Sequence, residues 1–147
     1  MAIVGIAGMS GSGKSTIIED YGRRGFVILD DLGRNPNWKA NAEQVKALAA
    51  AGRDIVVSDL LFCCETAEEA REINDTFPGR TAFEAWVGQK LDWIYFANDP
   101  WSCALNCLWR RMYEKPERSL DFEIGLIERI TRFYRPPSDA HPVYRRG

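Results

Sequence analysis

Gly8-Met9-Ser10-Gly11-Ser12-Gly13-Lys14-Ser15 is the stretch on which the reading of this chain turns. It carries the spacing glycine, four residues, glycine, lysine, serine, between an apolar run, Ala2 to Ala7, and a segment of helical character, Lys14 to Arg24. That context gives the spacing a mechanism. Three glycines let the backbone fold tightly enough for consecutive amide N–H groups to converge, and the helix that follows adds the positive end of its dipole. Such a cradle suits the phosphates of a nucleotide. Gly8, Met9, Ser10, Gly11, Ser12, Gly13, Lys14, Ser15 and Thr16 are therefore the expected nucleotide contacts. Lys14 would reach the β- and γ-phosphates of ATP, and the Ser15 hydroxyl would hold Mg2+.

Working outward, four short apolar runs alternate with helical stretches, which predicts an α/β fold with a four- or five-stranded parallel sheet and helices on both faces. The strands are expected at Ala2 to Ala7, Phe26 to Leu29, Asp54 to Ser58 and Asp92 to Ala97. Helices are expected at Lys14 to Arg24, at Asn41 to Ala51 and across Glu65 to Lys90, the last broken at Phe77-Pro78-Gly79. Asp99 can cap a further helix that opens at Pro100 and runs to about Tyr113. Another begins at Ser119, with Asp121 and Glu123 in its first turn and Phe122, Leu126, Ile130 and Phe133 as an apolar stripe, until Pro136 and Pro137 stop it. Pro142 to Tyr144 is a candidate short edge strand. With no internal repeat, residues 1–147 read as one domain, with residues 100–135 as a helical lid.

Composition narrows the class. The 147 residues are one domain's worth, and no stretch reaches the roughly 18 to 20 uninterrupted apolar residues of a membrane span. No basic segment precedes an apolar signal core, so the expected location is cytoplasmic. The formal charge of −2 is unevenly spread: residues 101–147 hold 9 basic and 6 acidic side chains, against 10 and 15 before them. The last third is therefore either a cationic surface or a solvated helix face of mixed sign. Cys63, Cys64, Cys103 and Cys107 are expected to be reduced and to pack as small apolar residues, without zinc. The five tryptophans, Trp38, Trp86, Trp101 and Trp109 among them, are expected mostly in the core, although exposed ones would stack on bases.

The phosphate loop alone does not choose among ATPases, GTPases and kinases. No Asn-Lys-x-Asp segment for reading guanine is present, and the chain is short for the sensor apparatus of a motor ATPase. Strand two ends in Asp30-Asp31-Leu32-Gly33-Arg34, which puts carboxylates at the carboxyl end of a parallel strand, where open sheets bind ligands. A hydroxyl nucleophile needs a base to take its proton, whereas a nucleoside monophosphate already presents an anionic oxygen. An aspartate here argues for a hydroxyl acceptor. Arg34 would orient that carboxylate or clamp a phosphate of the acceptor. Asp59, closing the run Ile55-Val56-Val57-Ser58, would hold a magnesium-bound water or contact the acceptor, and Arg110, Arg111 and Arg118 would bring guanidinium groups to the phosphates as the lid closes.

On these residues the chain resembles the kinase domain of phage-type 5′-polynucleotide kinase, within the nucleotide-kinase-like P-loop proteins. The resemblance runs through Gly8 to Ser15, Asp31-Leu32-Gly33-Arg34, Ile55 to Asp59, and Asp99-Pro100-Trp101 with Arg111 on the helix that follows. It implies a P-loop kinase fold in which Asp31 is the base for the acceptor hydroxyl, Arg34 handles the acceptor's phosphate and Arg111 contacts the ATP phosphates. Two departures stand out: Asp30 is a second candidate base, and Cys107 lies where another basic side chain is expected. These residues carry no phosphatase domain after the kinase one. Small kinases of this look also occur in phages that hypermodify thymine, acting on 5-hydroxymethyluracil in DNA. The expected activity is ATP-dependent phosphorylation of a hydroxyl on nucleic acid, a hydroxymethylated base or a 5′ end, with DNA as partner. A small-molecule acceptor is the alternative, and an ATP-hydrolysing regulatory module the third reading.

Overall fold

The structure, a computed structural model, describes residues 1–30, 37–114 and 118–146. Four parallel strands form one sheet: β1 (Ile3–Ala7), β2 (Val27–Asp30), β3 (Ile55–Asp59) and β4 (Asp92–Tyr95), in the order β2-β3-β1-β4. β1 and β3 are the central pair, and every residue of both is buried, as strands covered on two faces require. Register runs Ile3 to Ile55 through Ala7 to Asp59, so the loops after these two strands leave the sheet side by side.

The helices are α1 (Lys14–Arg23), α2 (Trp38–Ala50), α3 (Ala67–Ala70), α4 (Arg80–Val87), α5 (Pro100–Tyr113) and α6 (Leu120–Thr131). The path from β1 to β2 crosses the sheet in one direction, and those from β2 to β3 and β3 to β4 cross in the other. Right-handed connections therefore carry α1 to one face and α2 and α4 to the opposite one. α2 and α4 meet there through Trp38 and Trp86, whose rings stand 5.6 Å apart edge to face.

Several boundaries differ from expectation for local reasons. α2 starts at Trp38 rather than Asn41, with the Trp38 ring packed on Trp86. The region 65–90 contains two short helices; Thr66 caps α3, and the turn at Gly79, φ +94°, opens α4. A single 3₁₀ turn at Leu60–Cys63 follows β3, with the Asp59 carboxylate accepting from the Leu61 N–H at 2.8 Å. The expected strand at 142–144 reduces to one parallel bridge, Phe96 to His141, since Pro142 has no N–H to continue a ladder.

The α5 and α6 ends follow the sequence closely. Asp99 accepts from the Ser102 N–H at 3.0 Å with Pro100 in the first turn, and Ser119 accepts from the Phe122 N–H at 3.1 Å. The tryptophans follow it in part: Trp38 and Trp93 pack half-buried against the core, whereas Trp86 and Trp101 are exposed, Trp101 by 64% because its position on α5 faces away from the sheet. All four cysteines are buried in the core, as expected of small apolar residues. No helix among the described residues is long and apolar enough to cross a membrane.

Candidate functional site

All four strands point their carboxyl ends to the same edge of the sheet, so the glycine loop after β1, Asp30 at the end of β2 and Leu60 after β3 converge there. They line a cavity of about 570 Å³, ample for a nucleotide. The loop itself is shaped by close approach. A methyl group on Gly8 would stand 2.6 Å from Ser12 Oγ and 3.0 Å from the Phe96 ring. Gly11, at φ +81°, lies against the Cys103 carbonyl and the Cys107 sulfur of α5, and Gly13 takes φ +102° as the residue before α1. The Ser12 N–H closes a turn onto the Met9 carbonyl at 3.1 Å.

Gly13 carries no side chain to cap α1, and no acidic side chain occupies the helix's first turn. Its uncapped amino-terminal end, Gly13, Lys14 and Ser15, lines the cavity, with the positive end of the helix dipole behind it. Lys14 folds back on the loop, its Nζ donating to the Gly8 carbonyl at 2.6 Å and the Met9 carbonyl at 3.2 Å. The ammonium is thus held over the glycine turn. The Ser12 hydroxyl is buried and has no hydrogen-bond partner among the described residues.

α5, α6 and the carboxyl-terminal segment complete the lining. Arg110 lines the cavity while pairing with the buried Glu123 at 3.4 Å and donating to the Cys107 sulfur at 3.5 Å. Arg118 lines it with its guanidinium 5.4 Å from the Phe122 ring centre. Arg111, expected to contact phosphates, is exposed and outside the cavity lining: one residue along a helix is a turn of about 100°, and Arg110 takes the inward position.

Arg145 and Arg146 also line the cavity, and the sequence reading assigned neither. Arg145 Nε donates to Ser102 Oγ at 3.0 Å; Arg146 pairs with Glu114 at 3.1 Å and sits 5.0 Å from the Trp109 ring centre. Their only signal was the net positive charge of the last third. Among the described residues, five cationic side chains, counting Lys14, and two carboxylates, Asp30 and Glu123, make the lining net positive, which suits a polyanionic ligand.

Of the remaining expected residues, Met9 to Ser12 and Thr16 line the cavity. Gly8 contributes its carbonyl to Lys14 instead. Asp59 is buried, engaged with Leu61 and outside the lining, so the carboxylate of the described residues that reaches the cavity from the strand ends is Asp30. Asp31 and Arg34 lie outside the described residues. For a magnesium ion, the hard oxygens that line the cavity among the described residues include the Ser15 hydroxyl and the Asp30 carboxylate. Such oxygens suit an ion that keeps several waters and takes further ligands from the substrate's phosphates.

The thiols near the loop are chemically quiet. Burial raises Cys63 and Cys103 to about 12 and Cys107 to about 11, far above the range in which a thiolate reacts at neutral pH. They serve as packing beneath the loop. No protein-family model matches the chain, and no curated protein is significantly similar to it.

Proposed function

We propose that this chain is an ATP-dependent kinase that transfers the γ-phosphate to a hydroxyl on nucleic acid, either 5-hydroxymethyluracil in DNA or a polynucleotide 5′ end. One observation carries the phosphotransfer reading. A glycine loop with Lys14 bonded to its carbonyls opens, together with the start of α1, into a cavity that Arg110, Arg118, Arg145 and Arg146 also line. A bare glycine turn has no use for those arginines. The triphosphate would lie along the loop, with Lys14 and the Gly13 to Ser15 amides on its β- and γ-phosphates. Ser15 would hold magnesium, which spreads the charge of the transferred group.

Arg110 and Arg118 are the lid residues that would meet the charge developing on the γ-phosphate, with Arg110 in the role that the resemblance gave to Arg111. The acceptor oxygen attacks γ-phosphorus, the bond to ADP breaks, and a strand-two carboxylate accepts the acceptor's proton. Asp31 is the base of choice and Asp30 the second candidate. The resemblance through Asp31 and Arg34 supports nucleic acid as the acceptor, and the arginines in the lining favour an anionic one.

The test is incubation with γ-labelled ATP and two DNAs, one with a free 5′-hydroxyl and one with internal 5-hydroxymethyluracil and blocked ends. Label on either supports the proposal and names the acceptor. Label found only on free nucleosides or metabolites would replace it with the small-molecule reading, and release of phosphate alone with the regulatory one. Asp31→Asn is expected to abolish transfer while leaving ATP binding intact; full transfer by this variant would move the base to Asp30.

A further inference from the structure

Asn106 is a buried polar residue of α5, 5% exposed, with its amide engaged on both sides. Its nitrogen donates to the Gly11 carbonyl and to the Tyr144 carbonyl, both at 2.8 Å, and its oxygen accepts from the Arg146 N–H at 2.8 Å. Two acceptors and one donor surround the group. Only a neutral amide answers that set, because an ionised carboxylate would face two carbonyl oxygens with no proton to offer. The contacts span three segments far apart in sequence: the phosphate loop, the middle of the lid helix, and the carboxyl-terminal segment that supplies Arg145 and Arg146 to the cavity.

We propose that Asn106 is a positioning residue for phosphate binding, one that fixes the Gly11–Ser12 peptide of the glycine loop and locks the carboxyl-terminal arginines to it. This rests on the nucleotide reading above. The mechanics follow from the planarity of the peptide. With the Gly11 oxygen held outward by Asn106, the Ser12 N–H is turned the other way, onto the Met9 carbonyl. That turn sets the curvature of the loop ahead of Gly13. Gly11 cannot hold the orientation by itself, since with no side chain and φ +81° it has no strong conformational preference. The same side chain anchors Tyr144 and Arg146, so the loop and the carboxyl-terminal segment that carries two of the cavity's arginines keep a constant spacing. Neither Lys14 nor the helix dipole supplies that constraint.

The experiment uses the full chain and Mg2+-tripolyphosphate, a probe with no base or sugar, with dissociation constants from calorimetry at pH 8 and pH 5.5. Asn106→Asp is expected to bind about 10- to 100-fold more weakly than wild type at pH 8, the range set by losing buried hydrogen bonds. At pH 5.5 the ratio to wild type should narrow, since a protonated carboxyl regains one donor. Asn106→Ala removes the donor without adding charge and should show a loss that does not vary with pH; it also serves if the aspartate variant fails to fold. A role confined to stability would lower the melting temperature and leave the constants of the folded protein alone. Binding by both variants within threefold of wild type would overturn the proposal. If wild type bound neither tripolyphosphate nor ATP, the nucleotide reading itself would fall, and the proposal with it.

Discussion

Replacing two glycines of the same loop by alanine separates backbone strain from steric overlap. Gly13 has φ +102°, and the nearest heavy atom to an added methyl is Phe96 Cε1 at 3.8 Å, an ordinary contact. Gly13→Ala therefore costs only the left-handed backbone, about 1 to 2 kcal/mol. Loss of conformational freedom in the unfolded chain offsets about 0.4 to 1 kcal/mol of that, leaving a net of about 1 kcal/mol. Gly11 has a similar φ, +81°, but its methyl would run into the Cys103 carbonyl and stand 3.1 Å from the Cys107 sulfur. The obstruction is backbone of α5, which cannot swing aside as a flexible side chain would. Overpacking of this kind adds about 1 to 3 kcal/mol. Gly11→Ala should thus cost about 2 to 4 kcal/mol.

Urea unfolding followed by tryptophan fluorescence reads both values, and each kcal/mol should also lower Tm by roughly 2 to 4 °C for a chain of this length. Unfolding free energies for the two variants within about 0.5 kcal/mol of each other would refute the contact between the loop and α5. Ligand adds a second reading. At ATP 100-fold over its dissociation constant, wild type should gain about 2.7 kcal/mol of stability, and both variants should gain less because each distorts the amide cradle.

Other expectations follow from single contacts. Lys14→Ala should leave the fold intact and reduce phosphotransfer at least roughly 100-fold, measured as initial rate with labelled ATP. Tyr134 is 2% exposed and its hydroxyl donates to the Phe96 carbonyl at 2.5 Å, so Tyr134→Phe should cost about 1 to 3 kcal/mol with an unchanged urea m-value. Hydrogen bonds from the Ser102 hydroxyl and backbone N–H hold the Asp99 carboxyl below its usual range. A depressed folded pKa stabilises above the unfolded value and is lost as pH falls through the folded one. Asp99→Ala should therefore cost about 1 kcal/mol at pH 7, and the gap to wild type should close below about pH 4 in urea midpoints. Arg110→Ala should cost about 2 to 3 kcal/mol, since it strands the buried Glu123 while Arg110 itself is 30% exposed; Arg110→Ala with Glu123→Gln should recover part of that loss.

The fold was legible where one chemical requirement fixes one residue type. Ile55-Val56-Val57 is apolar without alternation because β3 is covered on both faces, and Asp99-Pro100 marks the start of α5 because a cap and a fixed φ both suit a first turn. The signals failed where the deciding partner lies far along the chain. The opening residue of α2, Trp38, packs on a ring of α4 forty-eight residues away, and Trp101 reads as core by hydrophobicity yet lies on the outward side of α5. Hydrophobic content says that a tryptophan gains from burial; it does not say that a helix has room to bury it.

The site divides along the same line. The half proposed to bind phosphate is contiguous in sequence, so Gly8 to Ser15 could be read as a unit. The cationic half is assembled from α5, α6 and the last residues, and only the geometry distinguishes Arg110 from Arg111 or brings Arg145 and Arg146 to the cavity. A charge count registers all of these arginines equally. What separates them is their partners: Arg110 is held by Glu123 and Cys107, Arg146 by Glu114 and the Trp109 ring, Arg145 by Ser102. A guanidinium that must meet charge developing on a phosphate is worth most when it is already oriented, because reorientation at the moment of reaction would cost part of what it stabilises. The carboxylates and rings that hold these arginines at the cavity wall are therefore as much a part of the proposed chemistry as Lys14, and their removal should lower the rate even where the arginines remain.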